Sequence, residues 1–133
     1  MTPWFADTFF FLALLNAQDD KFHGKARAAN RVDRPVVTSD WVLLELADHL
    51  CDARNRHLFG ELLDAVRRDR RYEIINADAD LLADAVALYR EREDKDWSLT
   101  DCTSFLIMNR RGLTEALTAD HHFEQAGFVT TLK

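Results

Sequence analysis

The sequence predicts an α/β fold, a three-layer α/β/α sandwich with a central, mostly parallel sheet of four to five strands. Short runs of β-branched and aromatic residues alternate along the chain with longer segments of helical periodicity. Strands separated by helices need crossover connections, which favour parallel strands covered on both faces. The chain has 133 residues, of which 47% are hydrophobic, enough for one buried core. We therefore predict a single domain over residues 1–133.

Each predicted element follows from its local pattern. The strands are expected from Trp4 to Ala6, Pro35 to Thr38, Tyr72 to Ile75, Ala116 to Thr118 and Phe128 to Leu132. The helices are expected after Asp7 to about Asn16, then from Lys21 to Arg31, Trp41 to Leu50, His57 to Arg68, Ala79 to Arg90 and Thr100 to Arg110, with a helical turn near Phe123. Ser39 is suited to cap the third helix. In the fifth helix, Leu82, Val86 and Tyr89 form one apolar stripe.

The chain is acidic, which limits the partners it can have. Its 23 Asp and Glu residues exceed its 17 Lys and Arg residues, so the net charge is −6, which argues against generic binding to polyanions or anionic membranes. Cys51 and Cys102 are far apart and suggest neither a disulfide framework nor a zinc site. The apolar run from Phe9 to Leu15 is too short to span a bilayer. We expect a cytoplasmic protein without a membrane partner.

Four acidic residues occupy positions where a parallel sheet concentrates chemistry. Asp7 follows the first predicted strand and Asp120 the fourth, Glu45 lies early in the helix after the second strand, and Asp101 opens a later helix. In open α/β sheets, functional residues lie beyond the carboxyl ends of the strands. We therefore expect these four side chains to face one edge of the sheet.

Each of the four acids also has a structural interpretation. Asp7 and Asp120 are suited to be helix N-caps. Asp101 lies three residues after Ser98, which is the spacing of a capping box. Glu45 lies at the border of an apolar helix face and is as well suited to solvent. These interpretations stay open at the level of sequence.

Convergence of the four acids would create a site for a divalent cation. The helix that Asp101 opens is apolar all round from Phe105 to Met108, so its first turn is expected to be buried. No Lys or Arg adjoins Asp7, Glu45 or Asp120 in the sequence. Carboxylates crowded in a partly dry pocket repel one another, and a hard cation relieves that repulsion. Mg²⁺, with Mn²⁺ as a substitute, fits oxygen ligands and suits in-line displacement at a phosphodiester.

Four segments together resemble the successive motifs of a known family. They are Phe5 to Thr8, Thr38 to Leu46, Asp96 to Phe105, and Leu117 to Phe123 continuing to Phe128. Their order and spacing are similar to those of the PIN domain over essentially the whole chain. The compact form and the last two motifs are most similar to VapC-type toxins of toxin–antitoxin pairs.

The resemblance implies a metal-dependent endoribonuclease. Asp7 and Asp101 would be the firmest Mg²⁺ ligands, with one or two ions bound, and Glu45 and Asp120 would complete the acidic set, one of them assisting as general base. Thr8 matches a hydroxyl position that orients a ligand or water. Asp96 matches an additional acidic position or is a surface residue. The implied partners are RNA, a cognate antitoxin whose C-terminal segment covers the pocket, and a second copy of the chain in a homodimer.

Other features carry weaker expectations. Two basic groups are candidates for RNA contact or for a solvated face, namely Lys25, Arg27, Arg31 and Arg34, and Arg67, Arg68, Arg70 and Arg71. His49 lies one helical turn after Glu45, a spacing that allows a Glu–His metal pair, although Mg²⁺ favours oxygen-only ligation. His121 and His122 are expected at the surface or in a cap, with His121 near enough to meet substrate. The aromatic cluster at Trp4, Phe5 and Phe9 to Phe11 is expected to be partly core and partly a dimer or antitoxin surface.

Other protein classes fit the sequence less well. A phosphatase of the haloacid dehalogenase type needs a second Asp two residues after the first, and that position is Phe9. A response-regulator domain needs an acidic pair near the first strand and a Lys after the last, and only Asp7 is suitably placed. A PIN-type RNA-processing nuclease outside a toxin–antitoxin system, or a non-catalytic PIN-like interaction module, remains an alternative.

Overall fold

A computed structural model describes all residues, 1–133, and its centre is a parallel sheet of five strands. The strands are β1 (Trp4–Ala6), β2 (Val36–Ser39), β3 (Tyr72–Ile75), β4 (Glu115–Leu117) and β5 (Val129–Thr130). Their spatial order is β3-β2-β1-β4-β5, and every neighbouring pair is parallel. The predicted fold class is confirmed, with the fifth strand shorter than expected.

Seven helices connect these strands. They are α1 (Thr8–Leu15), α2 (His23–Asn30), α3 (Asp40–His49), α4 (Arg56–Arg68), α5 (Ala79–Glu91), α6 (Leu99–Arg111) and α7 (His121–Gln125). All seven lie where the sequence patterns predict helices, within one or two residues. Ser39 caps α3 as expected, because its hydroxyl accepts a hydrogen bond from the Val42 N–H at 3.2 Å.

The strand order reverses direction at β1. Successive connections run from β1 outward to β2 and β3, and later ones run from β4 to β5 on the other side of β1. Because crossovers between parallel strands are right-handed, the two sets of connections cover opposite faces of the sheet. A crevice therefore opens at the carboxyl ends of β1 and β4, which is the usual place for a ligand in such folds.

Aromatic residues from both ends of the chain form the core. Phe5, Phe10 and Phe11 are fully buried, as are Phe105 and Phe123, whose rings meet edge to face at 5.0 Å. Most of the N-terminal aromatic cluster is therefore core, and its buried members are not available as a partner surface. The remaining two, Trp4 and Phe9, are half-buried.

Helix α5 buries a different stripe from the one that its periodicity suggested. Leu82, Val86 and Tyr89 are exposed, whereas the neighbouring Leu81 and Ala85 are buried. Both stripes are apolar, and the packing of α5 against α6 determines which of them faces inward. None of the helices is both long enough and apolar enough to cross a membrane.

Candidate active site

A cavity of ≈ 300 Å³ opens at the carboxyl edge of the sheet, where the strand order reverses. Its wall is built by β1, β4 and the first turns of the adjoining helices. The lining residues are Asp7, Thr8, Phe9, Leu12, Glu45, His49, Asp96, Ser98, Asp101, Asp120 and His122. The structure thus brings together all four predicted acids, along with Thr8 and Asp96.

Asp7 is the most deeply buried acid of the site. It occupies the N-cap position of α1 but makes no capping hydrogen bond, so the interpretation of Asp7 as a cap is wrong. Its Oδ2 instead accepts a hydrogen bond from the Thr118 hydroxyl at 3.0 Å. Burial, helped by the charges of Asp101 and Glu45, raises the pKa of Asp7 to about 7, although the Thr118 hydrogen bond opposes the shift.

Asp101 combines a structural contact with a place in the cavity. The Ser98 hydroxyl accepts a hydrogen bond from the Asp101 N–H at 3.0 Å, and Asp101 Oδ2 accepts one from the Ser98 N–H at 3.1 Å, which completes the predicted capping box. Asp101 is 7% exposed. Burial and the charge of Asp120 raise its pKa, while the Ser98 N–H and the neighbouring His122 oppose that change.

Asp120 and Glu45 line the more open part of the cavity. Asp120 caps α7, since its Oδ1 accepts a hydrogen bond from the His122 N–H at 3.0 Å. Its Oδ2 has no hydrogen-bond partner within the protein. Glu45 is half-buried and faces the cavity rather than bulk solvent. Both carboxylates therefore keep free oxygen atoms toward the cavity.

The two supporting positions differ in what they offer. The Thr8 hydroxyl is buried and donates a long hydrogen bond of 3.4 Å to the Val42 carbonyl, so this contact ties α1 to α3. Asp96 is exposed at the edge of the cavity. His49 also borders the cavity, but its Nδ1 is 2.9 Å from the backbone carbonyl of Glu45.

Two residues of the site were not predicted for these positions. Thr118 is fully buried at the end of β4; its hydroxyl donates to Asp7 and accepts from the Asp120 N–H at 3.1 Å. His122, rather than the expected His121, points into the cavity, with Nδ1 at 3.1 Å from Asp101 Oδ2. The sequence signal that could have identified Thr118 is its hydroxyl-bearing side chain two positions before Asp120. No sequence signal distinguished the two histidines, because only the turn of α7 orients them.

The cavity holds negative charge without a compensating lysine or arginine. No ion pair joins Lys or Arg to Asp7, Glu45, Asp101 or Asp120; only His121 and His122 approach these acids. Carboxylate oxygens in this setting suit a hard divalent cation. Ligand-type atoms of Asp120, His121 and His122 lie within 4.8 Å of one another, and His122 Nδ1 is 3.1 Å from Asp101 Oδ2. The donor set fits a divalent metal.

Comparison with known proteins agrees with this arrangement. Residues 5–129 match the PIN domain family. The 23S rRNA-specific endonuclease VapC20 of Mycobacterium tuberculosis is 34% identical over 126 residues, covering 94% of this chain and 95% of that protein. Its crystal structure, described as a sarcin–ricin loop cleaving toxin, superimposes with a TM-score of 0.81 at 32% identity over 94% of this chain and 95% of VapC20.

Two more distant structures share the fold. VapBC2 from Rickettsia felis, bound to a DNA fragment from its promoter, has a TM-score of 0.66 at 15% identity over 96% of each chain. FitAcB from Neisseria gonorrhoeae has a TM-score of 0.63 at 17% identity over 95% of this chain and 94% of that chain. With the acidic cavity at the reversal of the sheet and the identity to VapC20, the chain belongs to the PIN domain family, as a ribonuclease toxin of the VapC type.

Proposed function

We propose that this chain is a Mg²⁺-dependent endoribonuclease that cleaves 23S-type ribosomal RNA in its sarcin–ricin loop. The observation that carries the proposal is the buried, uncompensated carboxylate of Asp7 beside Asp101 at the reversal of the sheet. The choice of RNA is supported by the 34% identity to VapC20, which is named for cleavage of 23S rRNA.

The proposed metal ligands are Asp7 and Asp101, with Glu45 and Asp120 completing the set for one or two ions. Mn²⁺ is the expected substitute, since it accepts the same oxygen ligands. A divalent cation bound there supplies charge neutralisation at the phosphodiester and lowers the pKa of a nearby water. The charge of the cation would favour the ionised form of Asp7, because no Lys, Arg or His of the protein forms an ion pair with this carboxylate.

The chain's own residues hold the acids in place and accept a proton. Thr118 orients Asp7 through its hydroxyl, and the Ser98 N–H orients Asp101. Asp120 Oδ2 and the carboxylate of Glu45 both lack protein hydrogen bonds, and one of them is the proposed acceptor of the proton of the attacking water. As the water oxygen bonds to phosphorus, the bond from phosphorus to the leaving ribose oxygen breaks, and that oxygen takes up a proton from solvent.

The test is cleavage of a synthetic sarcin–ricin hairpin and of intact ribosomes with Mg²⁺, Mn²⁺ or EDTA. Folded D7N and D101N proteins are expected to lose cleavage, whereas D64N, which removes an exposed acid on α4, keeps it. Wild-type rates for folded D7N would contradict the catalytic proposal. Cleavage of other RNA but not of the hairpin would refute the substrate alone and leave the nuclease intact.

The proposal includes an antitoxin and a homodimer. An acidic cavity without internal lysine or arginine suits a partner segment that brings such a side chain to the carboxylates.

The exposed stripe of Leu82, Val86 and Tyr89 on α5 is a candidate surface for the second copy. Light scattering of V86E tests this contact: we expect the dimer to dissociate, and an unchanged dimer would place the interface elsewhere.

A further inference from the structure

The lysines and arginines that lack a carboxylate partner fall into two main groups, which lie at different edges of the sheet. Seven cations are held in ion pairs, among them Arg34 and Arg71. The first unpaired group is Lys21, Lys25, Arg27 and Arg31, in and around α2, and no acidic residue occurs between Lys21 and Val32. The second is Arg67, Arg68 and Arg70, at the end of α4 and just after it.

The start of α2 lies against the wall of the acidic cavity. Phe9, which lines the cavity, packs edge to face against Phe22 with ring centroids 4.9 Å apart. Around the Phe22 ring, Lys21 Nζ is 5.1 Å and Lys25 Nζ is 5.8 Å from the centroid. His23 Nδ1, 2.8 Å from the Ala13 carbonyl, fixes this turn to α1. The ammonium groups of Lys21 and Lys25 thus lie over a ring that packs directly against Phe9 of the cavity wall.

The far end of α2 and the second group lie at the opposite edge of the sheet. The Asn30 carbonyl accepts a hydrogen bond from Arg71 at 2.6 Å, immediately before β3 begins. Arg67 and Arg68 end α4 at the same edge. Because all strands are parallel, this amino edge is remote from the cavity at the carboxyl edge. Among the unpaired cations of these two groups, only Lys21 and Lys25 lie over the Phe22 ring that packs against the cavity wall.

We propose that Lys21 and Lys25, positioned by Phe22, bind phosphates of the RNA strand that flanks the bond to be cleaved. The inference rests on the proposed nuclease function. A cavity of four carboxylates in a chain of net charge −6 repels a polyanion, so affinity for RNA needs cations close to the cavity rim. The aromatic ring restrains both side chains without neutralising them, which leaves the N–H donors free for phosphate oxygens.

The experiment compares two double variants with the same change of net charge. K21E/K25E reverses the charge of the two lysines beside Phe22, and R67E/R68E reverses the charge of two exposed, unpaired arginines at the amino edge. Single-turnover cleavage of the sarcin–ricin hairpin is measured across RNA and salt concentrations, with circular dichroism as the folding control. We expect K21E/K25E to raise the half-saturating RNA concentration roughly 10-fold to 100-fold, with the maximal rate within about twofold of the wild-type value.

The salt dependence gives a second readout. Loss of two phosphate contacts on single-stranded RNA lowers the slope of log affinity against log salt by about 1.4. R67E/R68E is expected to leave that slope unchanged and the half-saturating concentration within about threefold. The neutral variant K21Q/K25Q is expected to lie between the wild type and K21E/K25E.

Three results would overturn the inference. One is equal weakening by the two double variants, which would indicate a general charge effect. Another is a lower maximal rate of K21E/K25E at unchanged half-saturation. The third is unchanged RNA cleavage with lost binding of the cognate antitoxin, which would make the rim a protein-docking surface. If the wild type itself cleaves no RNA, the proposed function fails first, and that outcome is separate from these.

Discussion

At the amino edge of the sheet, carboxylates are paired with arginines, whereas at the carboxyl edge they are crowded together without any. Arg34 pairs with Glu115 at 2.6 Å, and Arg71 pairs with Asp69 at 2.7 Å. Arg71 also donates to the carbonyls of Asn30 and Val32. The cavity at the other edge holds Asp7 at 5% exposure with a pKa raised to about 7. The amino edge satisfies its charges in the folded chain, and the carboxyl edge leaves its charges for a ligand to satisfy.

The largest expected difference between the edges is in RNA cleavage. D101N is expected to reduce the single-turnover rate at least about 1000-fold, because it removes a charge proposed to bind the metal. R71Q, at the amino edge, is expected to stay within about threefold of the wild type at saturating RNA. Both proteins are compared by hairpin cleavage in Mg²⁺ after thermal melts show that they are folded. Similar losses of cleavage in D101N and R71Q would contradict the expected functional difference between the two edges.

The next effect is on stability and has the opposite sign from most core substitutions. Since the pKa of Asp7 is about 7 in the folded chain and near 3.8 in the unfolded chain, the folded state binds more protons between these pH values. The free energy of unfolding therefore falls as pH rises toward 7. D7N removes this cost and is expected to stabilise the metal-free protein at pH 8, by on the order of 4 kcal/mol at most.

Chemical denaturation in EDTA at pH 8 and pH 5 measures this effect. At pH 5 the folded Asp7 is mostly protonated while the unfolded Asp7 is still mostly ionised, so the gap between D7N and the wild type is expected to narrow to about 2 kcal/mol, and it closes only below about pH 4. D64N, which removes an exposed charge, serves as the control at both pH values. Added Mg²⁺ is expected to narrow the gap at pH 8 by stabilising only the wild type. A destabilised D7N at pH 8 would show that the Asp7 charge is compensated after all.

A smaller effect is expected at the amino edge. R71Q loses the pair with Asp69 and the hydrogen bonds to two carbonyls that tie α2 to β3. The expected loss is about 2 kcal/mol of unfolding free energy, because charge-assisted hydrogen bonds are removed. Urea denaturation at pH 7 measures it, with R110Q, which breaks only an exposed pair with Asp84, as the control. Equal losses of unfolding free energy in R71Q and R110Q would mean that the Arg71 contacts stabilise the fold no more than an exposed ion pair does.

The smallest effect is expected for Thr118, which lies between β4 and the cavity. T118V removes the hydroxyl that lowers the pKa of Asp7 and positions its carboxylate. We expect cleavage to fall about tenfold at pH 7, and the acid limb of its pH profile to move to higher pH. T114V, at an exposed threonine before β4, controls for the loss of a hydroxyl. An unmoved pH profile in T118V would separate Thr118 from the ionisation of Asp7.

Local patterns in the sequence were enough to predict most of the architecture and the acidic residues that meet at the site. The alternation of strand-type and helix-type segments predicted the parallel sheet, and the spacing of Ser98 and Asp101 predicted the capping box that forms. The positions of Asp7 and Asp120 after strands, with parallel topology, predicted that they meet at one edge. These features depend on neighbours in the sequence and on a general rule of sheet geometry, so they needed no knowledge of packing.

Tertiary packing decided what the patterns left open. Both stripes of α5 are apolar, and only contact with α6 selects Leu81 and Ala85 for burial. Asp7 could serve as a cap or as a buried acid, and the approach of Thr118 across the sheet decides for the latter. His122 instead of His121 enters the cavity because of the turn of α7. The alternation of elements and the ordered motifs were therefore sufficient to predict the fold, the family and the acids at one edge. The burial that raises the pKa of Asp7, and the edge at which each basic group lies, arise from contacts between residues distant in the chain.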